Sequence, residues 1–154
     1  MRRARFAFIL AALLILADQG VKALILRAGR EAFPVDVIPG FFRLTFTENR
    51  GGVFGMLHAT AEPWHTLLLI GVPLLAIVLI TVLILRSAPE DCLSRFGLAL
   101  ILGGAIGNQI DRLRMGFVLD YLDFYTEDNA LGDWLLRTFG QNHWYNFNVA
   151  DSAI

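Results

Sequence analysis

The chain has 154 residues, 56% of which are hydrophobic, and a mean hydropathy of +0.57. This length suits a single domain and the composition excludes an ordinary soluble protein, so we predict a small membrane protein. The formal net charge is −1 and the 13 Lys and Arg residues form no basic stripe, which excludes a nucleic-acid partner.

Three apolar segments predict an all-α membrane fold, a small bundle of transmembrane helices at about 6–26, 66–86 and 93–111. The second segment is the clearest, because residues 66–85 are uncharged throughout and would form about 30 Å of helix, enough to cross a bilayer core. The third is shorter, and its flanking residues lengthen it toward a full crossing.

The first segment carries two charges, Asp18 and Lys22, which are four residues apart and therefore share one helix face. We expect this face to point inward. A cleaved signal peptide is the alternative interpretation, but no small-x-small cleavage site precedes Asp18, and apolar residues resume at 23–26. We therefore predict a retained first helix.

The density of arginine predicts the orientation of the chain. Five arginines lie within about fifteen residues of N-terminal tail and of the loop between the second and third spans, whereas seven are spread over roughly eighty residues elsewhere. Short cytoplasmic segments are rich in basic residues, so the N-terminus is predicted to be cytoplasmic. Residues 27–65 and 112–154 then face the opposite side.

Two segments are predicted on this outer side. Residues 33–57 alternate apolar and polar side chains and contain Pro-Gly and Gly-Gly pairs, which predicts a small antiparallel β element at the outer interface. Residues 112–150 are predicted to form an outer loop. Within the β segment, Asn49, Arg50 and Gly52 belong either to a simple glycine turn or to an element that holds an amide and a guanidinium over the mouth of the bundle.

Four ionisable residues are predicted at or near membrane depth, namely Asp18, Lys22, Asp111 and Arg112. Charges in lipid are costly, so these residues need partners or a water-lined cavity. A small membrane transporter or proton-relay protein is therefore one candidate function. On this interpretation the four residues would conduct protons or ions.

The third span carries a polar stripe and a glycine pair. Gly104, Asn108 and Asp111 occupy positions i, i+4 and i+7, which places a glycine, an amide and a carboxylate on one face. Gly103 and Gly107 form a small-xxx-small pair that permits the close approach of another helix. The ordinary alternative is that these residues only pack and hydrogen-bond the bundle. The small-xxx-small helix and the aromatic outer loop also leave open a non-enzymatic membrane assembly factor as a weaker candidate function.

Asp120 and Asp151 lie in the predicted outer region. Two carboxyls within a few ångströms of each other cannot both ionise, so one could act as an acid and the other as a base. Their separation in sequence does not show that they meet. Solvated surface aspartates are the ordinary alternative, and Asp151 could instead cap a helix that begins near residues 149–154.

A metal or cofactor site is not expected. Cys92 is the single cysteine, which excludes an internal disulfide, and no Cys/His cluster has the spacing of metal ligands. We interpret Cys92 as an incidental small apolar residue in a loop.

Four stretches of the chain, considered together, carry a family resemblance. They are DQGVK (18–22), TENRGGVFG (47–55), GGAIGNQIDRLRMGFVLDY (103–121) and FNVADSAI (147–154). In this order and at roughly this spacing, they resemble signal peptidase II, the lipoprotein signal peptidase of bacteria. Each stretch alone is weak, but the four in order are highly specific and extend from the first helix to the last residue.

The resemblance implies an aspartic endopeptidase of the bacterial inner membrane, with its active site at the outer, periplasmic face. It would cleave prolipoproteins just before the diacylglyceryl cysteine, with an Asp dyad activating water, no metal or other cofactor, and membrane lipids as neighbours. The oligomeric state is left open. By motif, the catalytic residues are Asp120 and Asp151, and the supporting or substrate-binding residues are Asn49, Arg50, Gly52, Asn108, Asp111, Arg112, Asn148, Asp18 and Lys22.

Three features depart from the family pattern. Tyr121 stands where the family usually has phenylalanine, and residues 122–146 form a longer segment than expected. The family has a fourth membrane helix after the second catalytic aspartate, whereas this sequence has three predicted spans and ends at Ile154. We therefore expect this chain to be less stable and much less active than a version extended by a fourth helix.

Overall fold

The structure is a computed structural model that describes residues 2–52, 57, 60–88, 90–126, 130–140 and 142–154. It is mostly helical and contains a small antiparallel sheet, as predicted. The helices are α1 (Arg2–Ala28), α2 (Trp64–Thr66), α3 (Val72–Arg86), α4 (Cys92–Met115) and α5 (Ala130–Phe139), with a π-helical stretch, Leu67–Gly71, between α2 and α3. The strands are β1 (Val35–Ile38), β2 (Phe42–Asn49) and β3 (Val118–Phe124), and 3-10 turns occupy Arg30–Ala32 and Asp151–Ala153.

Two helical stretches, Ala4–Ala28 and Trp64–Arg86, are long and apolar enough to cross a membrane by length and composition. Many of their apolar side chains point away from the protein; Leu16 is 69% exposed and Leu75 is 70% exposed. Apolar surfaces of this extent are suited to lipid. The third predicted span, 93–111, lies within α4, and its crossing of the membrane stays a prediction.

Glycines bring α4 into close contact with α1. Gly103 lies against Ala11 and Leu14, and Gly107, one turn further along, lies against Asp18, so the two helices run parallel. A Cβ atom at Gly103 would lie 2.9 Å from Leu14 Cδ2 and 3.0 Å from the carbonyl oxygen of Ala11, which is too close for a rigid backbone. The close helix approach predicted for this glycine pair is confirmed.

The sheet has the order β1-β2-β3, with both pairs of strands antiparallel. Thr47 lies opposite Asp120, beyond an irregularity that interrupts the pairing after Leu44. The predicted β segment at 33–57 supplies β1 and β2, and its residues 53–56 lie outside the described residues.

The prediction of an outer loop over residues 112–150 needs correction. Helix α4 continues to Met115, and the same segment contains both β3 and α5. The apolar and aromatic residues of β3 pair with β2, which satisfies their backbone hydrogen bonds in the sheet.

A glycine turns the chain from α4 into β3. Gly116 has a φ of 77°, a left-handed conformation that L side chains rarely adopt, and its N–H donates to the carbonyl of Arg112 at 3.0 Å. Beyond this turn, Leu119 and Tyr121 pack with Ile25 of α1 in an apolar cluster. The turn and the cluster together hold β3 against the ends of α1 and α4.

Candidate active site

A buried ionic cluster joins α1 to α4. Lys22 Nζ lies 2.9 Å from Asp18 Oδ2 and 2.7 Å from Asp111 Oδ2, and it donates to Asn108 Oδ1 at 3.2 Å. Asp18, Lys22 and Asp111 are each at most 1% exposed. Because two carboxylates face one ammonium, they depend on further hydrogen-bond donors to remain buried.

Each carboxylate of this cluster also accepts a backbone hydrogen bond next to a second acid. Asp111 Oδ2 accepts from the N–H of Leu119 at 3.3 Å, and Leu119 immediately precedes Asp120. Asp18 Oδ1 accepts from the N–H of Ala150 at 3.2 Å, and Ala150 immediately precedes Asp151. The cluster therefore fixes the backbone beside both outer aspartates.

Asn148 connects the side chains of Asp120 and Asp151. Its amide nitrogen Nδ2 donates to Asp120 Oδ1 at 2.8 Å, and its backbone N–H donates to Asp151 Oδ2 at 3.1 Å. The other carboxylate oxygens accept from two further asparagines, Asn49 to Asp120 Oδ2 at 2.9 Å and Asn108 to Asp151 Oδ1 at 2.7 Å. The two aspartates, 31 residues apart in the sequence, thus both accept hydrogen bonds from one asparagine.

A reciprocal pair of hydrogen bonds orients Asp151. The backbone N–H of Asp151 donates to Asn148 Oδ1 at 2.9 Å, while Asp151 Oδ2 accepts from the backbone N–H of Asn148. This is the arrangement of a capping box, in which the first and fourth residues of a helical turn satisfy each other. In this box Asn148 holds the first, capping position and Asp151 the fourth, so the capping role considered for Asp151 is taken by Asn148, while Asp151 also contacts Asn108.

Burial raises the pKa of both carboxyls. The pKa of Asp120 is raised to about 7, first by desolvation and then by the charge of Asp151, while hydrogen bonds from Asn49 and Asn148 oppose the shift. The pKa of Asp151 is also raised, chiefly by burial, against the hydrogen bonds that it accepts. A group with a pKa of about 7 is close to half protonated at neutral pH, so the pair can hold one proton there. The surface-aspartate alternative is wrong for Asp120, which is 2% exposed.

A cavity of about 730 Å³ opens beside the pair. Asp151, Asn108 and Asn49 line it, and apolar side chains including Leu68 and Leu69 form much of the remaining wall. Asp120 is not among the lining residues, but Asn49, which lines the cavity, donates to its carboxylate.

The remaining residues singled out from the sequence divide into two groups. Gly52 and Arg112 line the cavity, and a Cβ atom at Gly52 would lie 2.8 Å from Leu69 Cδ2. Arg50 does not line it. Its guanidinium donates to Glu48 at 2.8 Å and lies over the ring of Phe117, so the guanidinium predicted over the mouth of the bundle is turned toward Glu48 instead.

The order of these site residues along the chain matches a known family. A family model described as signal peptidase (SPase) II matches residues 10–154. The chain belongs to the signal peptidase II family. It is accordingly a membrane protease of lipoprotein processing, and the resemblance noted in the sequence is confirmed.

Individual relatives of this signal peptidase II agree with the family model. The lipoprotein signal peptidase of Solibacter usitatus is 38% identical over 148 residues, covering 96% of this chain and 82% of the relative. That of Syntrophotalea carbinolica is 37% identical over 150 residues, covering 97% and 84%. Two solved structures of a bacterial membrane enzyme, at 2.3 and 1.9 Å, match with TM-scores of 0.73 at 22% identity, covering 96% of this chain and 79% and 84% of theirs. The structural likeness supports the fold.

Two polar contacts of this signal peptidase II were not predicted from the sequence. Gln19 bridges the carboxylates of Asp18 and Asp111, and its position within DQGVK was the available signal. Asp123 of β3 is buried and paired with Arg43 of β2 at 2.7 Å, a contact that no spacing rule indicates. In the described part of the chain, no group of three or more His, Cys, Asp or Glu side chains is arranged to hold a metal ion.

Proposed function

We propose that this signal peptidase II is an aspartic endopeptidase that cuts lipid-modified prolipoproteins just before the diacylglyceryl cysteine. One observation carries the proposal: Asn148 donates hydrogen bonds to the buried carboxyl of Asp120 and to the half-buried carboxyl of Asp151, beside a cavity with apolar walls. A carboxyl pair that retains one proton at neutral pH can supply an acid and a base together. Family membership supports prolipoproteins as the substrates.

The proposed reaction is general acid/base hydrolysis. The ionised member of the pair takes a proton from water as the water oxygen attacks the scissile carbonyl carbon. The protonated member polarises the carbonyl oxygen and then supplies a proton to the departing amine as the C–N bond breaks. Asp151 lies on the cavity wall, where it can contact the attacking water. Asn49, Asn108 and Asn148 hold the two carboxyls in place.

The proposed setting is the bacterial inner membrane, with a cytoplasmic N-terminus and the site at the outer face. Parallel packing of α4 on α1, from Gly103 to Asp111, supports α4 as a third span. The site lies where these helices end, which suits a substrate whose signal helix is in lipid and whose cleavage point is at the interface. Lipid and the modified cysteine are the proposed neighbours of the apolar wall.

Substrate selectivity tests this proposal. The purified chain in lipid nanodiscs is given a prolipoprotein bearing the diacylglyceryl cysteine and the same precursor without the lipid. We expect cleavage of the lipidated precursor alone, with a mature product that begins at the modified cysteine when its mass is measured. Cleavage of both precursors at equal rates, or at another bond, would contradict the proposed specificity.

The pH dependence follows from the raised pKa of Asp120. We expect kcat/KM to fall as the pH rises above about 7, because the pair in the free enzyme then loses its shared proton. The free energy of unfolding should also fall as the pH rises toward that value, since a carboxyl with a raised pKa binds its proton more tightly in the folded state than in the unfolded one. Both effects are measured from about pH 5 to 9, by a pH–rate profile and by a series of unfolding experiments. This range spans about two pH units on either side of that pKa. A flat profile across pH 7 would be inconsistent with a shared proton.

A further inference from the structure

Gln19 lies on α1 beside the ionic cluster, and its side chain reaches α4. The amide nitrogen Nε2 lies 2.9 Å from Asp111 Oδ1, 3.2 Å from Asp18 Oδ2 and 3.2 Å from the carbonyl oxygen of Gly107. All three partners are acceptors, so the NH2 end of the amide must face them. Chemistry therefore determines the orientation of this side chain.

Gln19 supplies a donor that Lys22 does not. The ammonium of Lys22 meets Oδ2 of both Asp18 and Asp111. In the part of the chain that the structure describes, Asp111 Oδ1 accepts its hydrogen bond from Gln19. A buried carboxylate oxygen without a donor is costly, so removing the Gln19 amide would drive Asp111 to rotate toward another partner.

Rotation of the Asp111 carboxylate would change the position of Asp120. The two oxygens of one carboxylate move together, and Asp111 Oδ2 accepts the backbone N–H of Leu119. Leu119 immediately precedes Asp120 on β3, so a change in this bond shifts the backbone from which the Asp120 carboxyl projects.

The second arm of the bridge reaches Asp151. Gln19 and Lys22 both contact Asp18 Oδ2, which directs Asp18 Oδ1 toward the backbone N–H of Ala150. Ala150 immediately precedes Asp151. The Gln19 amide thus influences the backbone next to Asp120 and the backbone next to Asp151.

We propose that Gln19 is a positioning residue for the pair Asp120 and Asp151, acting through the carboxylates of Asp18 and Asp111. The proposal rests on the proposed function above, because it concerns the same pair. Gln19 does not touch the reacting atoms. Its hydrogen bonds set the distance between the two carboxyls by holding the backbone next to each of them.

The test uses two variants of the full chain in lipid nanodiscs, with a diacylglyceryl-modified prolipoprotein as substrate. Gln19→Leu removes the donor at similar volume, and we expect kcat to fall roughly 10- to 100-fold while KM stays within a few-fold, as for a misplacement of reacting groups. In Gln19→Glu, the carboxyl donates a hydrogen bond when it is protonated and repels Asp18 and Asp111 when it is ionised. The ammonium of Lys22 is the positive charge in the cluster and partly offsets this repulsion. Its activity relative to wild type should therefore rise as the pH is lowered.

Gln109→Leu is the matched control. Gln109 of α4 is a second glutamine on this helix pair, 3% exposed, and within the described part of the chain its amide atoms have no hydrogen-bond partner. Its removal should leave kcat within about twofold of wild type, since no bond is lost. A kcat for Gln19→Leu equal to that of Gln109→Leu would overturn the proposal.

The Gln19→Glu series decides the question if Gln19→Leu does not fold, because a ratio to wild type that is independent of pH would also overturn it. Asp120→Asn and Asp151→Asn in the same assay separate the two proposals. If they retain activity, the proposed function fails; if they are inactive while Gln19→Leu is fully active, the role of Gln19 alone fails.

Discussion

Asp120→Asn and Asp151→Asn are each expected to lower kcat for prolipoprotein cleavage by roughly 10²- to 10⁴-fold, the usual contribution of a positioned acid or base. An amide can neither take a proton from water nor supply one to the departing amine. Each variant keeps the shape of the side chain and one acceptor oxygen, so Asn49 or Asn148 can still donate to residue 120. We therefore expect folding to be retained while turnover is lost, measured by initial rates and by the circular dichroism of the same samples.

Asp123→Asn provides the matched control for this experiment. Asp123 lies on the same strand as Asp120, is 1% exposed, and is bound by Arg43 rather than by the asparagines of the site. Its substitution removes a buried carboxyl of the same strand without touching the pair, and kcat should remain within a few-fold of wild type. If Asp120→Asn and Asp123→Asn lose activity equally, the loss reports general damage to β3 and not the chemistry of an acid pair.

The helical part of the fold is predictable because its signals are local. The uncharged composition of residues 66–85 predicts a helix. The spacing of Gly103 and Gly107 predicts a close contact between helices. β3 was missed for the opposite reason. It carries two aspartates in seven residues, which in isolation indicate exposure, and both are buried because partners from β2 and from the C-terminal segment reach them.

The residues of the site come together through contacts between distant parts of the sequence, which no rule of residue spacing predicts. Asn49 and Asp120 are 71 residues apart, and the Asp18 carboxylate meets the backbone of Ala150 across 132 residues. Family motifs could name these residues but not the bonds between them. Arg50 is a motif residue whose contact differs from the prediction, because its guanidinium binds the carboxylate of Glu48 on β2 and does not line the cavity. The capping bond between Asn148 and Asp151 was within reach of the sequence, because its three-residue spacing is local.

Lys22→Met is expected to lower the free energy of unfolding by roughly 3–5 kcal/mol, the usual cost of removing one partner from a buried ion pair. Lys22 is 1% exposed and its ammonium contacts two carboxylates, so its loss leaves Asp18 and Asp111 facing each other without a cation. Methionine fills a similar volume, which separates the loss of charge from the creation of a cavity. Unfolding by titration with sodium dodecyl sulfate in mixed micelles measures the change.

Arg30→Met is the matched control, because it removes a cation from an exposed pair. Arg30 is bound to Glu48, but its side chain is 60% exposed, and exposed pairs of this kind contribute less than about 1 kcal/mol. The double variant Lys22→Met with Asp18→Asn should recover part of the lost stability, since one of the two uncompensated charges is removed while an amide oxygen remains to accept the N–H of Ala150. Equal effects of Lys22→Met and Arg30→Met would mean that the buried ionic cluster is solvated in the membrane. The backbone beside Asp120 and Asp151 would then be held by the sheet and by the capping bond alone.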